Sequence, residues 1–352
     1  MRAALSAAQR PTTSAATAAS GVTVAICTRD RPALLRRALH SLVAQAAPPD
    51  EILVVDNGSP AGAVRAVVEE FRGVRYVTEP VPGLDFARNR ALSAATHDVV
   101  AFLDDDAIAD RGWVRGMRAL FAEHPGAAAG TGRIAPLALE TEAQRLFEAN
   151  GGLFADHETR VRLPADAARP LRGRRVPLIA WAVSVGSGAN LAVRRSAALA
   201  VGGFDEALDL GAVLPGGGDN DMVWRLLQAG HEVVYEPRAI VRHEHRRERD
   251  AAMQQIVGHQ RALIALLTKA VVHTRGVGRM PVIGFLLWRL AKPGVRLARR
   301  AVGRDPLPAP VLLHMWLACA GALVAYPHAR RVAGQRRRAG GGVTAADGAI
   351  VA

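Results

Sequence analysis

The strongest constraint on this chain is a repeated local pattern in its first third. Short apolar runs end in polar residues, and helical patterns follow them. Val22–Cys27 is apolar and rich in β-branched residues, and Pro32 stands where the first turn of a helix tolerates proline. Leu35, Ala38, Leu39, Leu42 and Val43 recur behind it at helical spacing. Glu51–Val55 is a second strand pattern, closed by the turn signal Asp56-Asn57-Gly58. A helical stretch over 62–71 leads to a strand at Val74–Thr78, and a helix over Asp85–Ala95 leads to a strand at Val99–Leu103. Strand-helix alternation of this kind predicts an α/β fold, a mostly parallel sheet with helices on both faces. Ligands of such sheets bind beyond the carboxyl ends of the strands. The polar groups collect at those ends: Thr28-Arg29-Asp30, Asp56-Asn57, Glu79 and Asp104-Asp105-Asp106.

Three adjacent carboxylates repel one another unless a cation neutralises them. Oxygen ligands suit Mg2+ or Mn2+, which in turn bind phosphate oxygens. The competing reading of Asp104–Asp106 is a solvated acidic turn. Asp56 can accept hydrogen bonds from a ribose or base, or simply form the turn. No G-x-G-x-x-G follows the first strand and no G-x-x-x-x-G-K-[ST] occurs, which disfavours a dinucleotide site and a P-loop. Asp219 and Asp221 close the glycine-rich run 216–218, ahead of a helix pattern over Met222–Ala229. Either Asp219 or Asn220 caps that helix, or Asp219 is a general base with Asp221 as an orienting carboxylate. His243 and His245 alternate on a strand pattern, so they read either as metal-binding imidazoles or as part of a basic edge with Arg242, Arg246 and Arg247. The middle, 107–180, carries scattered Gly, Pro and Arg and reads as loops around a cleft.

Composition narrows the remaining classes. Two cysteines in 352 residues exclude a disulfide scaffold and a cysteine-rich zinc site. The formal charge of +13 invites a nucleic-acid reading, but the charge is uneven. From Arg289 onward there are 11 basic and 2 acidic residues, net +9; the rest carries 34 and 30, net +4. Aromatics are 5%, too few to suggest base-stacking platforms. Nucleic acid is therefore not an expected partner. Helical patterns run over Met253–Ala270, Ile283–Leu290 and Val311–Tyr326; the last is 16 residues, short for a membrane span. Arg296, Arg299, Arg300 and Arg304 precede it, and Arg330, Arg331 and Arg336–Arg338 follow. Apolar helices with basic borders suit docking on an anionic membrane surface. The expected organisation is a disordered leader at 1–20, a catalytic domain at 21–248 with halves 21–110 and 111–248, a helical region at 249–335, and a disordered basic tail at 336–352. No secretory signal pattern is evident at 1–20, so the expected location is cytoplasmic, peripheral on the inner face of the plasma membrane.

Taken in order, seven segments give a more specific reading. They are VTVAICTRDRPALLRRALHSLVAQ, EILVVDNGS, GLDFARNRAL, VVAFLDDDA, GSGANLAVRRSAALAVGGFDEAL, GGGDNDMVWRLLQAGHEVVYEP and AIVRHEH. Over 21–248 this set resembles the family 2 glycosyltransferases, enzymes with a GT-A nucleotide-sugar fold. The resemblance implies that Asp56 holds the nucleoside, with Thr28, Arg29 and Asp30 beside it and Arg88 near the donor. It implies that Asp104 and Asp106 are the outer positions of a D-x-D motif, with Asp105 between them on the donor side. Asp106 and His243, or His245 in its place, would bind Mg2+ or Mn2+. Asp219 matches the aspartate cast as catalytic base, with Asn190 and Asp221 on the acceptor side. Many relatives carry Glu-Asp where this chain has Gly218-Asp219, and the Q-x-x-R-W signature of processive synthases is missing. The implied reaction is inverting transfer of one sugar from a UDP-, dTDP- or GDP-sugar to a glycan or lipid-linked acceptor. Such a step belongs to cell-surface polysaccharide, glycolipid or glycosylated-metabolite synthesis. The alternatives are a nucleotidyltransferase on a related fold and a non-catalytic basic protein binding nucleic acid or membrane.

Overall fold

The computed structural model describes residues 21–153 and 157–340. The expected leader at 1–20, and 341–352 of the expected tail, lie outside the described residues.

One mixed sheet organises the chain. Its strands are β1 Val22–Thr28, β2 Glu51–Asp56, β3 Val74–Thr78, β4 Val99–Phe102, β5 Ala107–Ala109, β6 Ala127–Pro136, β7 Val161–Leu163, β8 Leu191–Arg194 and β9 Glu232–His243. They lie in the order β3-β2-β1-β4-β8-β6-β9-β5, with β7 paired to β9. The first four are mutually parallel, as the strand-helix alternation predicts. β8 runs antiparallel to both β4 and β6.

Both faces of the parallel half are covered, which is why its strands read as nearly continuous apolar runs. Leu35, Ala38, Leu39 and Leu42 of α1 (Pro32–Val43) join Val24 and Ile26 in one core layer, together with Val64, Val67 and Val68 of α2 (Ala63–Val68). Ala25, Leu53 and Val55 face the other way, onto Phe86, Ala87, Ala91 and Leu92 of α3 (Leu84–Ala94). The period-2 alternation of a strand sends successive side chains to opposite layers.

The middle is more regular than its sequence suggests. It contains α4 (Trp113–Glu123), the ten-residue β6, α5 (Glu142–Ala149), β7 and α6 (Leu178–Val185). β6 reads AAAGTGRIAP and lacks the bulky β-branched signal of a strand, yet it lies inside the sheet between β8 and β9. Its small residues admit close neighbours. A Cβ on Gly132 would lie 2.1 Å from the Ala239 carbonyl oxygen. β9 runs through Pro237, a residue that interrupts a strand pattern in sequence. The register against β6 jumps from Gly132–Glu236 to Arg133–Ile240, so 237–239 bulge outward and the proline donates to no ladder.

Past β8 the chain continues through α7 (Arg195–Ala200) and α8 (Gly218–Gln228). Four further helices form the C-terminal region: α9 Arg249–His273, α10 Arg279–Ala301, α11 Ala309–Ala322 and α12 Ala325–Gly340. Leu266, Leu267 and Ala270 of α9, with Tyr326, Ala329 and Ala333 of α12, share the core of the catalytic body. A buried ion cluster holds them there. The Lys269 ammonium lies 2.6 Å from Asp205 and 2.5 Å from Asp221, and the Tyr326 hydroxyl donates to Asp205 at 2.6 Å. The basic run Arg336–Arg338, expected in a disordered tail, instead continues α12. Arg336 donates to the Pro82 carbonyl at 2.6 Å, and Arg337 pairs with Glu206. Among the described residues no single helix is long and apolar enough to cross a membrane; α11 and α12 pass that test only as a pair bent by 67°.

Candidate active site

The carboxyl ends of β1 and β4 open into a cavity of about 720 Å3. Its acidic floor follows from register. β5 leaves the Asp104–Asp106 turn and pairs antiparallel with β9, with Ala107 opposite His243. That pairing brings His243 Nε2 to 3.0 Å from Asp106 Oδ1. One ligand atom each from Asp104, Asp106 and His243 falls within 4.8 Å of the others. Burial and the adjacent Asp106 charge push Asp104 up to about 6. Burial opposes ionisation of Asp106 as well, but His243 and Arg31 carry its pKa below the usual carboxylate range. In His243 burial is outweighed by Asp106, and the pKa is raised. Two carboxylates and an imidazole held this close form a donor set that fits a divalent cation such as Mg2+ or Mn2+.

Asp105 is held from the side. Thr28 donates to it at 2.7 Å, and the Arg31 guanidinium reaches Asp105 at 3.0 Å and Asp106 at 3.2 Å. Arg29 lines the cavity with its side chain half exposed. Asp30 and Asp56 do not line it. Asp30 lies in the left-handed region, φ 56°, with a half-exposed side chain. Asp56 is buried at the end of β2, accepting from the Ser59 amide at 2.9 Å and the Tyr76 hydroxyl at 2.7 Å; its neighbour Asn57 lines the cavity instead.

A second acidic group enters from α8. The helix begins at Gly218, earlier than the apolar pattern suggests, so Asp219 and Asp221 stand in its first turn, not in a loop. Asp219 Oδ2 accepts from the Gly188 amide at 2.6 Å. Arg88 fills the neighbouring space: a Cβ on Gly188 would lie 2.0 Å from Arg88 Nη2 and 3.5 Å from Asp219 Oδ2. Arg88 is itself buried between Asp85 at 3.0 Å and Asp209 at 3.5 Å, and these carboxylates raise its pKa against the cost of burial. Burial and Asp209 push Asp85 well up; burial pushes Asp209 up to about 6, with the Asp219 charge adding to the effect and Arg88 opposing it. Asp85 Oδ2 is buried without a hydrogen bond and occupies the space of the missing side chain at 218, where a Cβ would lie 1.8 Å from it.

Three expectations need correction. Asn190 is not on an acceptor wall. It is fully buried, donating to the Arg133 and Ala239 carbonyls at 2.9 Å each and accepting from Trp113 at 2.8 Å. Its amide closes the gap left by the β9 bulge. Asp221 is likewise fully buried, paired with Arg225 at 2.6 Å and with Lys269, on the far side of α8 from the cavity lining. His245 follows the end of β9, not the strand itself, and its Nε2 lies 2.5 Å from Glu148, whereas His243 faces Asp106.

Sequence reasoning missed Arg31, Asp85 and Asp209. Arg31 sits inside the CTRDRP segment and Asp85 inside GLDFARN, so both were in view. Only their tertiary partners reveal a role.

The Glycosyl transferase family 2 model matches residues 23–201. The chain is 32% identical over 231 residues to the pre-mycofactocin glycosyltransferase of Mycobacterium tuberculosis, covering 64% of this chain and 43% of that protein. It is 28% identical over 121 residues to the glucosyl-dolichyl phosphate glucuronosyltransferase of Haloferax volcanii, covering 33% and 38%. The chain thus spans less than half the length of these curated relatives. In fold it is similar to the mannosyltransferase PcManGT of Pyrobaculum calidifontis, solved with GDP-Man and Mn2+, with TM-score 0.56 and 19% identity over 89% of this chain and 87% of that one. It is also similar to S. aureus TarS, with TM-score 0.53 and 14% identity over 90% and 91%. The ordered segments, the mixed sheet and the family match over half of the sequence agree: the chain belongs to glycosyl transferase family 2.

Proposed function

We propose that this chain transfers a single sugar from a nucleotide-sugar to an acceptor hydroxyl, with inversion at the anomeric carbon. The observation that carries this reading is one cavity walled by two separate acidic groups, Asp104–Asp106 with His243 and Asp219 with its Gly188 contact. Asp104, Asp106 and His243 would hold Mg2+ or Mn2+, which supplies positive charge for the diphosphate of the donor. Arg31 fixes the neighbouring carboxylates, and Thr28 keeps Asp105 turned away from solvent. Asp219 accepts the proton of the attacking hydroxyl; the Gly188 amide holds its Oδ2 in one orientation. Arg88 adds positive charge beside Asp219 and steadies it between turnovers. The GDP-Man and Mn2+ bound by PcManGT are consistent with such a donor. The test is a binding screen of UDP-, dTDP- and GDP-sugars with Mn2+ or Mg2+. Binding of at least one, lost in Asp106→Ala, is expected; no binding to any would remove the reading.

A second surface supports docking of the protein on a membrane. Exposed apolar side chains concentrate on α10 and α11: Leu287, Trp288 and Val295, then Leu313, Trp316 and Leu317. Trp316 packs over Gly294, so the two helices present a joint face. Arg299, Arg300, Arg304, Arg330 and Arg331 are exposed in the same helical region. The occupant that matches both features is an anionic lipid surface, on which the protein docks from the cytoplasmic side. Vesicles of phosphatidylglycerol should sediment the protein and phosphatidylcholine vesicles should not. Equal recovery on both, unchanged in Leu317→Asp, would reject docking through this face.

A further inference from the structure

The cavity has a basic wall as well as an acidic floor. Arg289, Lys292, Pro293 and Arg296 recur on α10 at the spacing of one helix face, and all four line the cavity. Pro293 has no amide hydrogen, so the carbonyl four residues back, that of Arg289, loses its helical donor. The buried Gln260 of α9 replaces it, donating to the Arg289 carbonyl at 3.2 Å and accepting from the Arg289 side chain at 3.4 Å. Proline and glutamine together therefore fix where this face of α10 stands.

Charge is not balanced along the wall. Arg296 is satisfied by Asp305 at 2.7 and 2.9 Å and by Asn150 at 2.5 Å. Lys292 has neither a hydrogen bond nor an ion pair among the described residues. Arg289 Nε is buried with no partner. Of the carboxylates that line the cavity, Asp105 and Asp106 pair with Arg31 and His243, Asp209 pairs with Arg88, Asp219 accepts from the Gly188 amide, and Asp104 belongs to the Asp106–His243 group. Burial, reinforced by Arg289, Arg296 and Arg172, pushes Lys292 down to about 8, and burial pushes Arg289 down to about 10. Two neighbouring cations without counter-charge are costly to bury, and an anion entering between them removes that cost.

We propose that Arg289 and Lys292, steadied by Arg296, form a phosphate subsite that binds the acceptor, apart from the Asp104–Asp106–His243 floor that faces the donor. Two unpaired positive charges match a dianionic phosphate better than a singly charged carboxylate. An arginine fork beside a lysine also suits tetrahedral oxygens. The acceptor class is thus a phosphorylated one, either a soluble sugar phosphate or a lipid carrying phosphate. The inference deepens the glycosyl-transfer reading and rests on it for the word acceptor, though the anion subsite itself does not.

The experiment is calorimetric titration of the full chain with inorganic phosphate and with decyl phosphate, in chelator, so that no divalent cation contributes. Lys292→Gln and Arg289→Gln should each weaken phosphate binding about tenfold or more, and Lys292→Arg should restore it. Binding of GDP or UDP with Mn2+ should survive in Lys292→Gln. Tighter binding of decyl phosphate than of phosphate assigns a lipid acceptor; equal binding assigns a soluble one. Phosphate affinity unchanged in Lys292→Gln would overturn the subsite. So would one-for-one displacement of phosphate by the nucleotide with Mn2+, which would place both in a single site. Persistence of Lys292-dependent phosphate binding in a protein that binds no nucleotide-sugar would keep the subsite and reject glycosyl transfer.

Discussion

The acidic floor and the helical roof of the cavity are built by opposite routes. Asp104–Asp106 lie at a strand end and Asp219 at a helix start, and backbone pairing places the first group: Ala107 against His243 sets the distance between Asp106 and the imidazole. The roof depends on side-chain contacts of the C-terminal helices with one another and with the elements beneath them. Gln260 reaches Arg289, Lys269 reaches Asp205 and Asp221, and Arg336 reaches Pro82. The difference predicts that floor substitutions remove chemistry and leave the fold, whereas roof substitutions loosen the fold first.

The largest effect belongs to the floor side. Asp219→Asn keeps the shape and the Gly188 contact but removes the base. Transfer should fall about 10^2- to 10^4-fold with donor binding retained, measured by turnover and by nucleotide titration. Full turnover in that variant would break the comparison, because a residue fixed by the local geometry would then carry no chemistry.

In the roof, Lys269→Met leaves Asp205 and Asp221 buried with fewer partners. Breaking a buried pair from one side costs about 3 kcal/mol or more, read as a fall in the denaturant midpoint. Lys269 does not line the cavity, so turnover per folded molecule should stay near that of the parent. A stable variant with lost turnover would mean that α9 shapes the chemistry directly.

The same contrast explains what could be read from the sequence. Strand ends, Asp104–Asp106 and Asp219 were legible because position within an element decides them. β6 was not legible, since its Ala-Gly run is explained only by the Ala239 carbonyl and Leu120 pressing on it. Asn190 and Asp221 look like site residues by their neighbours in sequence, but burial gives them structural tasks. The basic C-terminal segment suggested a surface address; part of that charge is instead paired within the protein, Arg296 in a buried contact with Asp305 and Arg337, itself exposed, with Glu206.

The smallest predicted effect concerns Gly218, where floor and helix start meet. The family resemblance leads one to expect an acidic side chain before Asp219, and this chain carries glycine there. The space is filled all the same, by Asp85 from α3, whose Oδ2 lies 1.8 Å from where a Cβ at 218 would stand. The Gly218 amide also donates to Asp209 at 2.8 Å, so the backbone has little freedom to retreat. Gly218→Ala should therefore overpack this corner by about 1–3 kcal/mol and displace Asp219 with it. Asp85→Ser opens the same space, so the pair Asp85→Ser with Gly218→Ala should recover much of the cost. A double-mutant cycle measures the coupling. Additive effects would show that the two positions do not share one volume, and that the acidic neighbour of Asp219 is absent here, not supplied from α3.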